Sequence, residues 1–268
     1  QASDWSSDVC SSDLMSAKAP GSDLESVSNE WLAHNIQQGH GPLGALYPDV
    51  AYGMEGDTPA YLGLIENGLN NAQFPNYGGW GGRYEHYLPA FRDSNSGGFK
   101  RENWPKDEPE TRAIWTNAED SLRGVDKQAY KSNLATIWRW RTAVQHDFAA
   151  RIDWTTKAYK DVNHPPVVKT AHPSAFTVKS GEEFFLNAEG TIDPDGDSMS
   201  YLWFQYKEAG TYPGYISTRP YSPNLYRLPI TAPQVDSPKT IHFILQVTDK
   251  GTPALTRYQR VIVTVLPR

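Results

Sequence analysis

Hydrophobic and polar positions follow two different periods along this chain, and the change falls near residue 164. Before that point, apolar residues recur at intervals of seven or four over residues 134–159, at Ile137, Val144, Phe148, Ile152 and Tyr159. This spacing predicts one long helix with a single buried stripe. After it, apolar and polar residues alternate, which predicts strands over 183–188, 200–206, 240–249 and 257–266.

The run Asn163-His164-Pro165-Pro166 separates the two patterns, because proline ends helices and favours extended chain. We therefore predict two domains, an α/β domain over 21–163 and an all-β, Ig-like sandwich over 164–268. Trp203 is the expected central ring of the sandwich. Residues 1–20 are small, polar, acidic and aperiodic, so we expect disorder there.

The first 20 residues also contain S-S-D-V-C-S-S-D-L, a string that looks like a translated sequencing-adaptor remnant from the end of a metagenomic contig. We therefore expect residues 1–20 to be a non-native extension and the native protein to begin further upstream. The chain has a single cysteine, Cys10, which excludes an intrachain disulfide and a cage of thiolate metal ligands.

Two carboxylates form the first candidate site. Glu55 and Asp57 precede Thr58-Pro59 and an apolar, helix-compatible run over 60–65. This order is typical of a strand, a sharp turn and a helix N-terminus, the edge at which α/β proteins usually bind ligands. Both are candidate catalytic residues, with Asp57 also a candidate metal ligand. Helix capping and compensation of the helix dipole explain the same two residues about equally well.

Aromatic side chains form the second candidate site. Four glycines surround Trp80, followed by Arg83 and Tyr84, so the loop could present an indole and a guanidinium to a ligand. Arg83 would bind a hydroxyl or a carboxylate, or pair with a neighbour such as Glu85. Trp115 and Asn117, in a short strand predicted over 111–117, complete the candidate substrate-binding set. Most other tryptophans and tyrosines are expected in the core.

A third candidate is the D-P-D-G-D turn, which places Asp193, Asp195 and Asp197 within five residues. Three carboxylates this close can attract calcium, although a solvated hairpin turn fits equally well. The net charge is −6, and the chain has no run rich in Lys or Arg. Nucleic acid and anionic membranes are therefore not expected partners. No apolar stretch approaches the length of about 20 residues that spans a bilayer.

Several unusual segments resemble one protein family. Residues 21–163 resemble the C-terminal portion of the nucleoside hydrolase-like domain of Sde182-type cellulose-binding proteins. The segments are S-N-E-W-L at 28–32, G-P-L-G-A-L-Y-P at 41–48, E-G-D-T-P at 55–59, Y-G-G-W-G-G-R-Y at 77–84, I-W-T-N at 114–117, A-T-I-W-R-W-R at 135–141 and Q-H-D-F-A-A-R at 145–151. A-E-G-T-I-D-P-D-G-D at 188–197 and Y-L-W at 201–203 resemble the family's Ig-like C-terminal domain, and also PKD-like modules.

The resemblance implies a bacterial protein, secreted or periplasmic, that associates with a polysaccharide or oligosaccharide such as cellulose. Nucleoside hydrolases hold calcium with an aspartate cluster at their first strand and one later aspartate, which Asp57 resembles in setting. No such cluster is present here. We therefore expect this chain to be inactive alone. The alternative is a calcium-dependent glycoside or N-glycoside hydrolase that needs a missing N-terminal half.

Overall fold

A computed structural model describes residues 19–50, 59–87, 113–218 and 225–268 of the protein. The chain divides into two compact units of mixed helices and small sheets. The first comprises Gln1–Ser28, Asp49–Leu64 and Asn71–Arg141, and the second comprises Asn29–Pro48, Ile65–Asn70 and Thr142–Arg268. Among the described residues, no helix has the length and apolarity needed to cross a membrane.

The helices are short except for one. They are α1 (Asn29–Leu32), α2 (Gly41–Ala45), α3 (Ala135–Trp138) and α4 (Arg141–Trp154), and a π-helical turn over Ala33–Gln37 continues α1. The 3₁₀ turns are Glu25–Val27, Pro59–Leu64, Pro75–Tyr77, Tyr159–Asp161 and Lys207–Ala209.

The strands are four or five residues long, except for one of seven residues and two of 11 in the second unit. They are β1 (Tyr84–Tyr87), β2 (Ile114–Asn117), β3 (Asp120–Arg123), β4 (Ala129–Ser132), β5 (Ala175–Lys179), β6 (Glu183–Asn187), β7 (Met199–Gln205), β8 (Arg227–Thr231), β9 (Lys239–Asp249) and β10 (Thr256–Leu266). The four strands predicted from alternation are confirmed to within one residue at each end. β1, β3, β4, β5 and β8 were not predicted.

The first unit holds two antiparallel pairs, β1 with β2 and β3 with β4. A small apolar cluster of Ala19, Ala135 and Trp138 lies beside the second pair, with Leu122 and Tyr130 packed against it. Ala19 therefore belongs to a packed core, although disorder was predicted as far as residue 20.

The predicted helix over 134–159 is interrupted at residues 139–140 and ends at Trp154. The indole Nε1 of Trp140 donates to the carbonyl of Thr136 at 3.1 Å. In a continuous helix that carbonyl would accept the backbone N–H of Trp140, which here bonds to Ile137 O at 3.0 Å instead. One side chain thus competes with the backbone and separates α3 from α4.

The second unit is organised by a four-stranded sheet in the order β5-β10-β9-β7. β10 runs parallel to β5 and antiparallel to β9, and β7 pairs with β9 so that Trp203 lies opposite Leu245. A second, two-stranded sheet joins β6 and β8. Inward residues of both sheets form one cluster, which includes Leu186, Leu228, Trp203 and Phe243. The predicted position of Trp203 in the core is confirmed.

Residues that precede the predicted domain boundary also contact strand β10 of the four-stranded sheet. Arg260 of β10 donates to Leu69 O at 3.3 Å, and the backbone N–H of Tyr258 donates to Asn67 O at 2.8 Å. From α4, Asp147 pairs with Arg257 at 2.8 Å. The second unit therefore includes α4 and residues 65–70 together with the strands.

Candidate functional site

Three of the predicted binding residues share one face of the β1–β2 pair. In the antiparallel register Tyr84 lies opposite Asn117, and His86 lies opposite Trp115. Directly opposed residues and every second residue along a strand point to the same side, so all four side chains occupy one face. The sequence predicted Tyr84, Trp115 and Asn117 for this role and missed His86. We call these four residues the β1–β2 face.

Trp115 is the exposed ring of the β1–β2 face. Its accessible fraction is 47%. The imidazole of His86 lies 5.0 Å from it between ring centroids, at an interplanar angle of 34°. This contact supports one side of the indole and leaves an apolar surface open to a flat ligand.

Tyr84 is less exposed than Trp115 and is fixed by a hydrogen bond. Its hydroxyl donates to the carbonyl of Gly81 at 2.9 Å, and burial raises the pKa of the phenol. Tyr84 is therefore a neutral, partly buried side chain whose hydroxyl is already hydrogen-bonded within the protein. Asn117, opposite it, is half-buried.

An aromatic pair lies on the turn that packs beside β1. Phe74 and Tyr77 stack with ring centroids 4.7 Å apart and an interplanar angle of 11°. Phe74 is 44% exposed, and the turn over Pro75–Tyr77 is in contact with β1. Sequence reasoning did not select this pair, although two aromatics on either side of Pro75-Asn76 are the signal that could have found it.

Arg83 has protein partners in place of a predicted ligand. Its Nε donates to Asp120 Oδ1 at 2.7 Å and a terminal nitrogen donates to Glu119 O at 2.6 Å. Arg139 binds the other oxygen of the same carboxylate at 2.9 Å. Asp120 has no exposed area. Arg83 thus forms an ion pair, which was the predicted alternative to ligand binding. Its partner is Asp120 rather than Glu85.

Trp80 lies inside the first unit, contrary to the exposed position expected for it. The ring has 0% exposure, and the glycines on both sides are buried as well. Gly78 and Gly82 take φ angles of 75° and 93°, which only glycine adopts without strain. Since a Cβ on Gly82 would come within 3.1 Å of Ile137, the loop packs tightly and its indole has no free face for a ligand.

The remaining predicted residues fall into two groups. Glu55 and Asp57 lie outside the described residues. Asp193, Asp195 and Asp197 are brought together, each offering an oxygen within 4.8 Å of the others. Oδ1 of Asp193 accepts the backbone N–H groups of Asp195 at 2.9 Å and Asp197 at 3.0 Å. His164 binds the Asp195 carboxylate through its backbone N–H at 2.6 Å and through Nδ1 at 3.0 Å.

Two family models match the chain. Residues 1–84 match the nucleoside hydrolase-like domain of the cellulose-binding protein Sde182, and residues 183–265 match the C-terminal domain of the cellulose-binding protein Sde0182. The chain therefore matches, over these two segments, both domains of a nucleoside hydrolase-related class of proteins. It belongs to the Sde182-type family of cellulose-binding proteins. No curated protein matches it.

One solved structure agrees with this assignment. A nucleoside hydrolase-related hypothetical protein from Saccharophagus degradans, described as associated with carbohydrate metabolism, is 31% identical with a TM-score of 0.67. The alignment covers 90% of this chain and 56% of that protein, so the chain spans little more than half of its relative.

Two other solved structures align only in part. A 2,6-sialyltransferase from a Photobacterium species is 15% identical with a TM-score of 0.26, over 35% of this chain and 17% of that one. Murine CRIg is 14% identical with a TM-score of 0.24, over 39% of this chain and 99% of that one. Scores this low establish no shared fold.

Proposed function

We propose that this chain binds cellulose, or a related neutral β-glucan, through the β1–β2 face. Membership of a cellulose-binding family supports a polysaccharide as the class of ligand. The single observation that carries the proposal is the exposed ring of Trp115 on a face that also presents the polar groups of His86 and Asn117.

The chemistry of a β-glucan matches this face. Each glucose unit has C–H groups on its two flat sides and hydroxyls around its edge. An exposed indole offers a large apolar surface at low cost in side-chain entropy, and the imidazole and amide beside it can hydrogen-bond the hydroxyls. Phe74 and Tyr77, on the turn beside β1, would extend the contact to a neighbouring glucose unit.

The charge of the protein favours an uncharged partner. With a net charge of −6, the chain repels nucleic acid and anionic membranes at long range, but not a neutral glucan. Cellulose lies outside bacterial cells, so a secreted or periplasmic location is part of the proposal. Detection of the native protein in the culture medium or periplasmic fraction is its test.

The strands from Ala175 onward are proposed to form an Ig-like sandwich that supports the binding region. Two sheets that share one apolar cluster, with Trp203 at its centre, support this assignment. The alternative, a calcium-dependent glycoside or N-glycoside hydrolase, depends on Glu55 and Asp57. No observation on the described residues favours it.

A depletion assay on microcrystalline cellulose tests the proposal. We expect Trp115→Ala to lower the bound fraction at least tenfold, because it removes the stacking surface. Tyr215→Ala is the matched control, since Tyr215 is 63% exposed and lies in the second unit. Equal retention of wild type and Trp115→Ala would remove the β1–β2 face as the binding site, and failure of the wild type to bind would remove the function.

A further inference from the structure

One end of the β9 strand contains a buried carboxylate that is only half satisfied. Asp249 has no exposed area. Its Oδ1 accepts three hydrogen bonds, from Leu255 N at 2.9 Å, Gly251 N at 3.0 Å and Asn163 Nδ2 at 3.1 Å. Its Oδ2 is buried and has no hydrogen-bond donor in the described part of the chain. A buried charged oxygen without a partner is uncommon in folded proteins, which points to a missing ligand.

Asn163 presents a second oxygen of this kind. Its Nδ2 donates to Asp249 Oδ1 and to Pro253 O at 2.7 Å, which fixes the orientation of the amide. Its Oδ1 is consequently buried without a donor among the described residues. Gly251 packs directly on this amide, since a Cβ there would lie 2.3 Å from it. The site is therefore built closely around the Asn163 side chain.

Asp193 contributes a third buried oxygen without a described hydrogen-bond donor. While its Oδ1 accepts two backbone N–H groups of its own turn, its Oδ2 is buried and unbonded within the residues that the structure describes. Two observations place the Asp193 turn beside Asp249. His164, next to Asn163, binds Asp195 of that turn. Met199, two residues after Asp197, lies directly opposite Asp249 in the antiparallel register of β7 with β9.

We propose that Asp193, Asp195, Asp197, Asp249 and Asn163 form a calcium site. Five side chains supply oxygens only, and two or three waters would complete the six to eight ligands that Ca²⁺ prefers. A donor set without nitrogen or sulfur does not suit Zn²⁺ or Cu²⁺. The inference is independent of glucan binding, because all five residues belong to the second unit.

The ion would connect three segments that are distant in sequence. Asn163 lies on the connection after α4, Asp193–Asp197 precede β7, and Asp249 ends β9. Calcium would therefore lock these segments together and neutralise part of a concentrated negative charge. The folded state binds the ion and the unfolded chain does not, so the melting temperature should depend on calcium.

Binding is measured on the full chain after treatment with EDTA. Calorimetric titration with CaCl₂ should show one site, and saturating calcium should raise the melting temperature by several degrees. Tb³⁺, used in place of Ca²⁺, also shows where the ion binds. Trp154 donates to Asn163 O at 2.9 Å, so its indole lies close enough to the proposed site to sensitise Tb³⁺ luminescence. A wild-type chain with neither calcium-dependent heat nor sensitised Tb³⁺ emission would overturn the proposal.

Asp249→Asn is the decisive variant. Asparagine keeps an oxygen for the three donors on one side and replaces the unpartnered oxygen with a neutral amide, so the chain should still fold. We expect at least a hundredfold weaker calcium binding, together with an unchanged or higher melting temperature in EDTA. The exposed Asp236→Asn is the matched control and should bind like wild type. If Asp249→Asn binds calcium as tightly as Asp236→Asn, the site does not exist.

Discussion

The sheet at the end of the chain and the β1–β2 pair represent opposite uses of β structure. β9 and β10 are 11 residues long, and the centre of β9 is buried on both of its faces. β1 and β2 are four residues long and leave Trp115 open to solvent. The long strands bury apolar area and stabilise the second unit, whereas the short pair displays side chains. Stability and recognition should therefore respond to different substitutions.

The largest effect should come from the shared core of the two sheets. Phe243→Ala would leave a cavity among fully buried neighbours and should cost about 4 kcal/mol of unfolding free energy. Urea denaturation followed by circular dichroism measures it. Phe185→Ala is the matched control, because Phe185 is exposed and its ring mainly contacts Arg227, whose Cζ lies 4.1 Å from the centroid. A loss below about 1 kcal/mol for Phe243→Ala would contradict the assigned core.

The next effect should come from the buried ion pairs of the first unit. Asp120→Asn removes the charge that Arg83 and Arg139 share and should cost about 3 kcal/mol, because it leaves two guanidinium groups poorly compensated. Glu119→Gln breaks only an exposed pair with Lys131 and should change stability by less than about 0.5 kcal/mol. Urea denaturation of both variants tests this. Equal losses of unfolding free energy would show that the buried Asp120 pairs stabilise the fold no more than the exposed Glu119 pair.

A smaller effect, dependent on pH, is expected from His242. Burial, with the charge of Arg260 second, lowers the pKa of this histidine from 6.5 to about 3. Below pH 6.5 the unfolded chain takes up a proton that the folded chain does not, so stability falls as the pH falls. The histidine should therefore cost about 2 kcal/mol of unfolding free energy between pH 6.5 and pH 5.

His242→Gln should remove this part of the pH dependence, since glutamine can still accept a hydrogen bond from Arg260. Denaturation at pH 6.5 and pH 5 measures the difference. The exposed His34→Gln is the control and should behave like wild type. Identical slopes for wild type and His242→Gln would show that the imidazole is accessible to protons in the folded state.

The strands of the second unit could be predicted from sequence because a strand with one buried face imposes its period of two directly on the chain. The core position of Trp203 followed from the same pattern. The break between α3 and α4 could not, because it depends on where the Trp140 indole donates, which is a matter of rotamer. Local sequence also favoured an exposed Trp80, whereas the glycines around it serve close packing.

The candidate sites show the same difference between residues that local sequence reveals and residues that only folding brings together. A predicted short strand, together with a family resemblance, selected Trp115 and Asn117, and the D-P-D-G-D run selected its three aspartates. Asn163 and Asp249 were not found as members of a site, because 86 residues separate them and only folding brings their side chains together. Residues that act through distant contacts leave little signal in a single sequence.

The central claim is that the β1–β2 pair serves recognition and the long strands serve stability. Its most direct test is to measure cellulose retention and thermal melting on the same preparation of Trp115→Ala. Trp115 is partly exposed on a short strand, so the melting temperature should stay within about 1 °C of wild type, since an exposed substitution changes stability by less than about 0.5 kcal/mol. The account predicts this unchanged melting together with a loss of retention of at least tenfold. Full retention of cellulose by a variant that melts like wild type would contradict it.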